Sequence, residues 1–213
     1  MTGLKRSVLL LALLCSLHLP PAVAARSLVL WVYPHDELKA MSDDELHHGY
    51  LQHWLDEMRS FTHHPIEIVI RRNVPEVTDI DYRSAEAENT LLRLHEAVQE
   101  IRRINNYPSF FQNRYILLTK DNFGNASLLT KVEGMAHFAQ FTAMASLRTY
   151  TNFAHEVGHL LGATHEASEV NYNGWFCETY MTPTRFDLRS HCYRYSDENR
   201  KIITQHLAEK LGR

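Results

Sequence analysis

Short apolar runs and amphipathic stretches alternate along the first part of the chain. Residues 27–33, Ile66–Ile70 and residues 115–119 are apolar runs rich in strand-forming side chains, which is typical of buried strands. Between them, apolar residues recur at helical spacing over residues 43–58 and 84–105. This strand–helix–strand–helix–strand order predicts a parallel sheet with right-handed crossovers.

The second part of the chain predicts two more strands and a final helix. Residues 134–141 and 142–147 have the pattern of short strands. Ser196 is a good N-cap for a C-terminal helix whose apolar positions share one face. Because neither an internal repeat nor a linker divides the chain, we expect one domain over residues 26–213.

The N-terminal segment has the pattern of a secretory signal peptide. Lys5 and Arg6 precede an apolar run at residues 8–14, and residues 22–24 (Ala-Val-Ala) form a small-x-small cleavage site. The apolar run is too short to span a bilayer. We therefore expect residues 1–25 to be removed and the remainder to be secreted, extracellular or periplasmic, without a stable membrane anchor.

Composition and charge fit a soluble globular protein. Apolar residues make up 45% of the chain and charged residues 22%. The net charge of −3 becomes about −5 once Lys5 and Arg6 are removed. A mildly acidic protein lacks the basic face that nucleic-acid binding requires. We expect no nucleic-acid partner, and a monomer.

Export also decides how the cysteines are interpreted. Cys15 leaves with the signal peptide, so Cys177 and Cys192 remain as a pair in an oxidising compartment. A disulfide between them is the natural assignment, with two free thiols as the alternative. Asn125 begins a glycosylation sequon, which matters only in a eukaryotic host.

The chemically informative segment runs from His155 to His165. On a helix, His155 and His159 lie only about 40° apart, while the apolar residues of the segment lie on the opposite face. Two imidazoles one turn apart can share a metal ion. Gly162 can end the helix in a left-handed conformation and bring His165 back toward the same ion. Three neutral imidazoles with an open fourth position predict one catalytic Zn²⁺.

Glu156 follows the first histidine and points away from the metal axis. It is poorly placed to ligate the metal but well placed to take a proton from a water at the open position, so we predict that it is the general base. The spacing is specific. A bare His-Glu-x-x-His arises by chance in roughly one such chain in fourteen, and the added Gly162 and His165 reduce that to roughly one in several thousand.

This pattern, His155-Glu156-x-x-His159-x-x-Gly162-x-x-His165, resembles the elongated zinc motif of the metzincin metallopeptidases. Metzincins also carry a methionine turn, which the resemblance assigns to Met181. It implies a metzincin-type zincin fold of the α/β class. Such a fold has a twisted, mostly parallel sheet with an antiparallel edge strand, two long helices, an active-site helix and a C-terminal helix. Gly134 and Ala136 fall where the edge strand that binds substrate runs.

The subgroup is suggested by the residues after the methionine. Pro183 stands where astacins and serralysins have a tyrosine ligand, and Met-x-Pro after a cysteine is similar to reprolysins (adamalysins) and matrixins. Glu166 is instead the residue that astacins have after the third histidine. We interpret the chain as reprolysin-like, with three protein ligands and no tyrosine ligand.

Other histidines are numerous but lack ligand spacing. We interpret them as solvated surface residues: His35, His47, His48, His53, His63, His64 and His95. His137 could line a substrate cleft or occupy an ordinary strand position. The role of His191, in the loop after the methionine turn, is left open.

Together these features predict a secreted zinc-dependent endopeptidase with protein or peptide substrates. One alternative is a secreted zinc-binding effector that binds but does not hydrolyse, although Glu156 is intact. Another is a zinc peptidase of the class whose third ligand is a distant glutamate, for which Glu178 could be proposed. His165 makes that ligand unnecessary.

Overall fold

Five strands form one sheet in the order β2-β1-β3-β5-β4. The computed structural model describes residues 26–105, 111–124, 132–137 and 140–212. The strands are β1 (Leu28–Pro34), β2 (Ile66–Ile70), β3 (Asn113–Thr119), β4 (Gly134–Ala136) and β5 (Thr142–Ser146). All neighbours pair in parallel except β4, which runs antiparallel to β5 at one edge. The predicted sheet type and edge strand are confirmed.

The edge strand β4 is shorter than the predicted strand at residues 134–141. Its pairing with β5 ends where Ala136 faces Ala143. The backbone N–H of His137 then donates to the carbonyl of Thr142, 3.2 Å away, as the chain reverses into β5. Residues 138 and 139 lie outside the described residues. The strand therefore ends at Ala136, earlier than predicted.

Successive side chains of a strand point to opposite sides of the sheet, and helices pack on both sides. On one face, Leu30 of β1 and Ile116 of β3 pack in a core with the helices α1 (Asp43–Leu46), α2 (Gln52–Phe61), α4 (Asn152–Leu160) and α5 (Asp197–Leu211). On the other, Tyr33 and Leu117 pack against α3 (Ala87–Asn105). None of the helices within the described residues combines the length and apolar character needed to cross a bilayer.

The first predicted helix is interrupted by a wider turn. A capping box between Ser42 and Glu45 starts α1, and a π-helical segment (His47–Leu51) joins it to α2. Leu46 and Leu51 are both fully buried although they are five residues apart. A π turn, with its i→i+5 bonds, brings that spacing onto one face. A uniform 3.6-residue period could not predict this.

A buried arginine connects the sheet to the helices beneath it. Arg114 of β3 is 3% exposed. Its Nε donates to the Leu160 carbonyl at the end of α4, 3.3 Å away, and its Nη2 lies 3.1 Å from Nε2 of His206 on α5. Burial, with Arg114 and Lys210 nearby, lowers the pKa of His206 to about 4.

Acid is expected to weaken the fold through His206. Between pH 6.5 and about 4 the unfolded chain takes up a proton at His206 that the folded chain does not, so the free energy of unfolding falls as the pH falls. Urea unfolding across this range should give a shallower fall for His206→Gln, which can still accept from Arg114. The exposed His48→Gln is the control. An unchanged slope in His206→Gln would contradict this role.

A second, three-stranded sheet follows α4. It has the order β6-β7-β8, with β6 (Val170–Tyr172), β7 (Phe176–Glu178) and β8 (Ser190–His191). The predicted disulfide joins Cys177 of β7 to Cys192 just after β8. The C-terminal helix α5 begins after Ser196, whose side chain accepts from the N–H of Asn199, as its N-cap role predicts. Residues 1–25 and Asn125 lie outside the described residues.

Candidate metal centre

Helix α4 carries the first two predicted ligands. Phe153, Val157 and Leu160 are at most 1% exposed and pack in the core. His155 and His159 are partly exposed and line a cleft instead. The apolar and histidine positions thus separate as the helical period predicts.

The turn after α4 brings the third histidine back. Gly162 has a φ of +85°, a left-handed conformation that glycine adopts without steric cost. The N–H of Ala163 donates to the carbonyl of Gly158, 2.9 Å away, which closes the helix end. The chain reverses, and the His165 ring centre lies 4.6 Å from that of His159 and 5.0 Å from that of His155.

The three imidazoles point one nitrogen each at a common centre. Nε2 of His165 lies 3.0 Å from Nε2 of His155 and 3.0 Å from Nε2 of His159. Three nitrogens bound at about 2.1 Å around a tetrahedral zinc lie about 3.4 Å apart. The triangle therefore fits zinc after small side-chain shifts. Among the described residues, no other group of three such side chains comes together in this way.

Backbone carbonyls fix which ring nitrogen faces this centre. Nδ1 of His155 donates to the carbonyl of Tyr180, 2.7 Å away, and Nδ1 of His159 donates to the carbonyl of Ala163, 3.1 Å away. Since a carbonyl can only accept, Nδ1 carries the proton and Nε2 keeps its lone pair. Such partners orient ligating histidines and make them better donors to a metal.

The surroundings favour the neutral form of two of the imidazoles, His155 and His159. Burial, with His159 close by, lowers the pKa of His155 to about 3. Burial and the neighbouring His165 also lower the pKa of His159. Neutral imidazole is the form that binds a metal. At neutral pH these two side chains need not lose a proton first.

Glu156 lies in the same cleft, beneath the edge strand. It is 6% exposed, and burial raises its pKa to about 8. Its side chain lies directly against Gly134 of β4, where an added Cβ would come within 2.7 Å of its Cγ and Cδ and still closer to Oε1. A buried carboxyl group with a raised pKa beside the histidine cluster is suited to proton transfer.

Met181 lies under the helix that carries the ligands. It is fully buried. A Cβ at Gly158 would lie 2.5 Å from Met181 Sδ and 2.9 Å from Tyr195 Cε1. Helix α4 can rest this closely on the methionine because position 158 has no side chain.

Glu178 does not join the histidine cluster. It is 2% exposed, and its carboxylate accepts from the N–H of Phe186 and from Arg189 Nη1, each 3.2 Å away. The cluster of potential metal ligands contains His155, His159 and His165 but not Glu178. The glutamate-ligand alternative therefore finds no support in this geometry.

An open cleft of about 770 Å³ surrounds the cluster. Gly134 and Ala136 of β4 line it together with the three histidines and Glu156. The strands described leave the outer edge of β4 without a partner. His191, Thr151 and Arg185 also line the cleft, whereas His137 does not. An extended peptide could reach both β4 and the histidines from this side.

Comparison with solved structures identifies the type of fold. Metalloproteinase-II from Bacteroides fragilis matches with a TM-score of 0.60 and 15% identity over 86% of this chain and 53% of that chain. A zinc-dependent peptidase from Methanocorpusculum labreanum matches with a TM-score of 0.51 and 14% identity over 82% and 99%. The fold is that of a zincin.

Other comparisons are less informative. A chain from a chaperone-substrate complex matches with a TM-score of 0.52 and 12% identity over 87% of this chain and 34% of that chain. The protein therefore spans about a third of the chain from the chaperone-substrate complex and about half of the metalloproteinase-II chain. No protein-family model matches the sequence, and neither does any curated protein. The zincin fold is confirmed, whereas the reprolysin subgroup is not.

Long-range contacts bond two of the histidines that the sequence pattern led us to interpret as solvated. The interpretation as a solvated surface residue is wrong for His53, which is half-buried. Its Nδ1 lies 3.1 Å from the Tyr180 hydroxyl, and its Nε2 lies 3.1 Å from the Tyr150 carbonyl oxygen. It thereby holds Tyr180, the residue whose carbonyl orients His155. His95 is also bonded, through Nδ1 to Thr142 Oγ1 at 3.0 Å. No sequence signal marks either contact.

Proposed function

We propose that this protein is a zinc-dependent endopeptidase of the metzincin type, with a reprolysin-like arrangement after Met181. The observation that carries the proposal is the meeting of the Nε2 atoms of three histidines with the buried carboxyl group of Glu156 in one open cleft. A structural zinc site would have four protein ligands and no cleft, whereas a catalytic site keeps a position open.

His155, His159 and His165 would hold one zinc ion. Zinc bound there would polarise a peptide carbonyl and make a water more acidic. The Nδ1 hydrogen bonds to Tyr180 and Ala163 hold two of the rings in the ligating orientation. Met181 supports the helix from below.

Glu156 would move the proton. Burial raises the pKa of its carboxyl group, which favours its holding the transferred proton. As general base it takes a proton from the attacking water, and as general acid it gives that proton to the leaving amine. One carboxyl group thus serves both halves of peptide hydrolysis.

The substrate would be an extended segment of a protein or peptide. Its backbone would pair with the open edge of β4 at Gly134 and Ala136, which places a peptide bond above the histidine cluster. Main-chain pairing tolerates many sequences. Specificity would come from side chains that line the cleft.

Export and processing are part of the proposal. Residues 1–25 would be removed as a signal peptide, leaving residues 26–213 as one secreted, monomeric catalytic domain. The disulfide between Cys177 and Cys192 supports an oxidising compartment.

Metal removal tests the proposal. The purified protein is expected to cleave a peptide library, to lose this activity on dialysis against a chelator, and to regain it with one equivalent of Zn²⁺. Magnesium serves as the control, since a histidine site does not favour it. Zinc binding at the expected 1:1 ratio without any cleavage would instead support the alternative of a secreted zinc-binding effector.

A further inference from the structure

Gly134 differs from most glycines in this structure. Among the glycines described, only Gly134 and Gly158 would bring an added Cβ closer than 3.0 Å to a neighbour. At Gly158 the neighbours are Met181 and Tyr195, whereas at Gly134 all three nearest atoms belong to the side chain of Glu156. The glycine of the edge strand and the predicted base are therefore in direct contact.

Backbone conformation does not explain this glycine. Gly134 is not among the positive-φ residues, and it pairs with Ala145 in a regular antiparallel ladder. An alanine could adopt the same backbone. The requirement is for space beside Glu156.

We infer that Gly134 is a positioning residue for Glu156, because the absence of a side chain at 134 lets the Glu156 carboxyl group occupy the place from which it transfers the proton. The inference rests on the proposed function and deepens it. Gly134 therefore has a second role besides offering its backbone to a substrate.

The collision would be relieved by Glu156 rather than by the backbone. Strand β4 is held by its pairing with β5, and α4 is anchored by Phe153 and Val157 in the core. The Glu156 side chain has three rotatable bonds, so it can turn aside. An alanine at 134 should thus leave the fold intact and displace the carboxyl group. A displacement of about 1 Å at a reacting group can lower the rate about 10²-fold.

Shortening the base provides a specific check. Aspartate at 156 keeps a Cγ but has no atom at the Oε1 position, which a Cβ at 134 would meet most closely. If the contact carries the effect, Gly134→Ala should lower kcat by a larger factor beside glutamate than beside aspartate. Residues that interact show this kind of non-additivity, and independent ones do not.

The experiment compares the wild type with Gly134→Ala, Glu156→Asp and the double variant. Gly49→Ala is the control, because a Cβ there meets nothing within 4 Å. Gly134→Ala is expected to lower kcat about 10²-fold, with KM, zinc content and Tm near those of the wild type. Gly134→Ala should lower kcat by a smaller factor in the Glu156→Asp background than in the wild type, and Gly49→Ala should match the wild type.

Wild-type kcat in Gly134→Ala would overturn the inference while leaving the proposed function intact, as would an equally large loss in the aspartate background. If Gly134→Ala fails to fold, recovery of folding in the double variant supports the contact and no recovery overturns it. If the wild type cleaves no peptide, the proposed function fails instead. In that case crystal structures of the wild type and Gly134→Ala test the positioning role directly. An unmoved Glu156 carboxyl group in the variant would refute it.

Discussion

Glu156→Gln is expected to bind zinc as tightly as the wild type and to hydrolyse peptides about 10²–10⁴-fold more slowly, the range that general acid–base catalysis contributes. Glutamine has nearly the same shape, so it can occupy the buried place against Gly134. It cannot take up or release the proton. The substitution therefore removes the proton transfer and keeps the packing of the side chain.

The measurement is kcat and KM on a fluorogenic peptide, with zinc content determined in parallel. Glu209→Gln on the exposed side of α5 makes the same change in charge and should leave kcat unchanged. Hydrolysis by Glu156→Gln at the wild-type rate would exclude Glu156 as the base. Loss of zinc in that variant would instead mean that Glu156 helps to hold the metal.

His165→Ala is expected to lose zinc and, with it, all hydrolysis. Removal of His165 leaves two imidazoles on one helix face, and loss of outer-shell partners alone already weakens metal sites about 10–100-fold. We expect the loss of a direct ligand to exceed this. Glu178→Gln should retain zinc, because Glu178 is bonded to Phe186 and Arg189 away from the cluster.

Competition with a chromogenic chelator measures the zinc affinity of His165→Ala and of Glu178→Gln. The exposed His48→Ala controls for the loss of a histidine as such and should bind zinc like the wild type. Retention of zinc by His165→Ala together with its loss from Glu178→Gln would reverse the assignment of the third ligand. Such a result would place the protein in the glutamate-ligand class.

Features that depend on local sequence could be predicted. The strand at Ile66–Ile70 and residues 115–119 of β3 follow from apolar runs, and the grouping of His155, His159 and His165 follows from helical periodicity and one left-handed glycine. In each case the residues that determine the feature lie within a few positions of each other.

Features that depend on tertiary contacts could not be predicted. The Tyr180 carbonyl that orients His155 is a backbone group, so no residue type identifies it. Likewise, nothing in the sequence around His53 shows that this histidine is hydrogen-bonded and not solvated. The contact between Gly134 and Glu156 exists only because β4 packs against α4 in the folded protein. Contacts of this kind form only in the complete tertiary structure.

The closeness of the three histidines along the chain also affects how the site assembles. All of them lie within residues 155–165, so only a short loop must close to bring them together, and short loops lose little chain entropy. The Tyr180 carbonyl is 25 positions from His155, and Gly134 lies on another strand. The grouping of the three histidines is thus a local property of the chain, whereas the proposed hydrolysis would require the complete native structure.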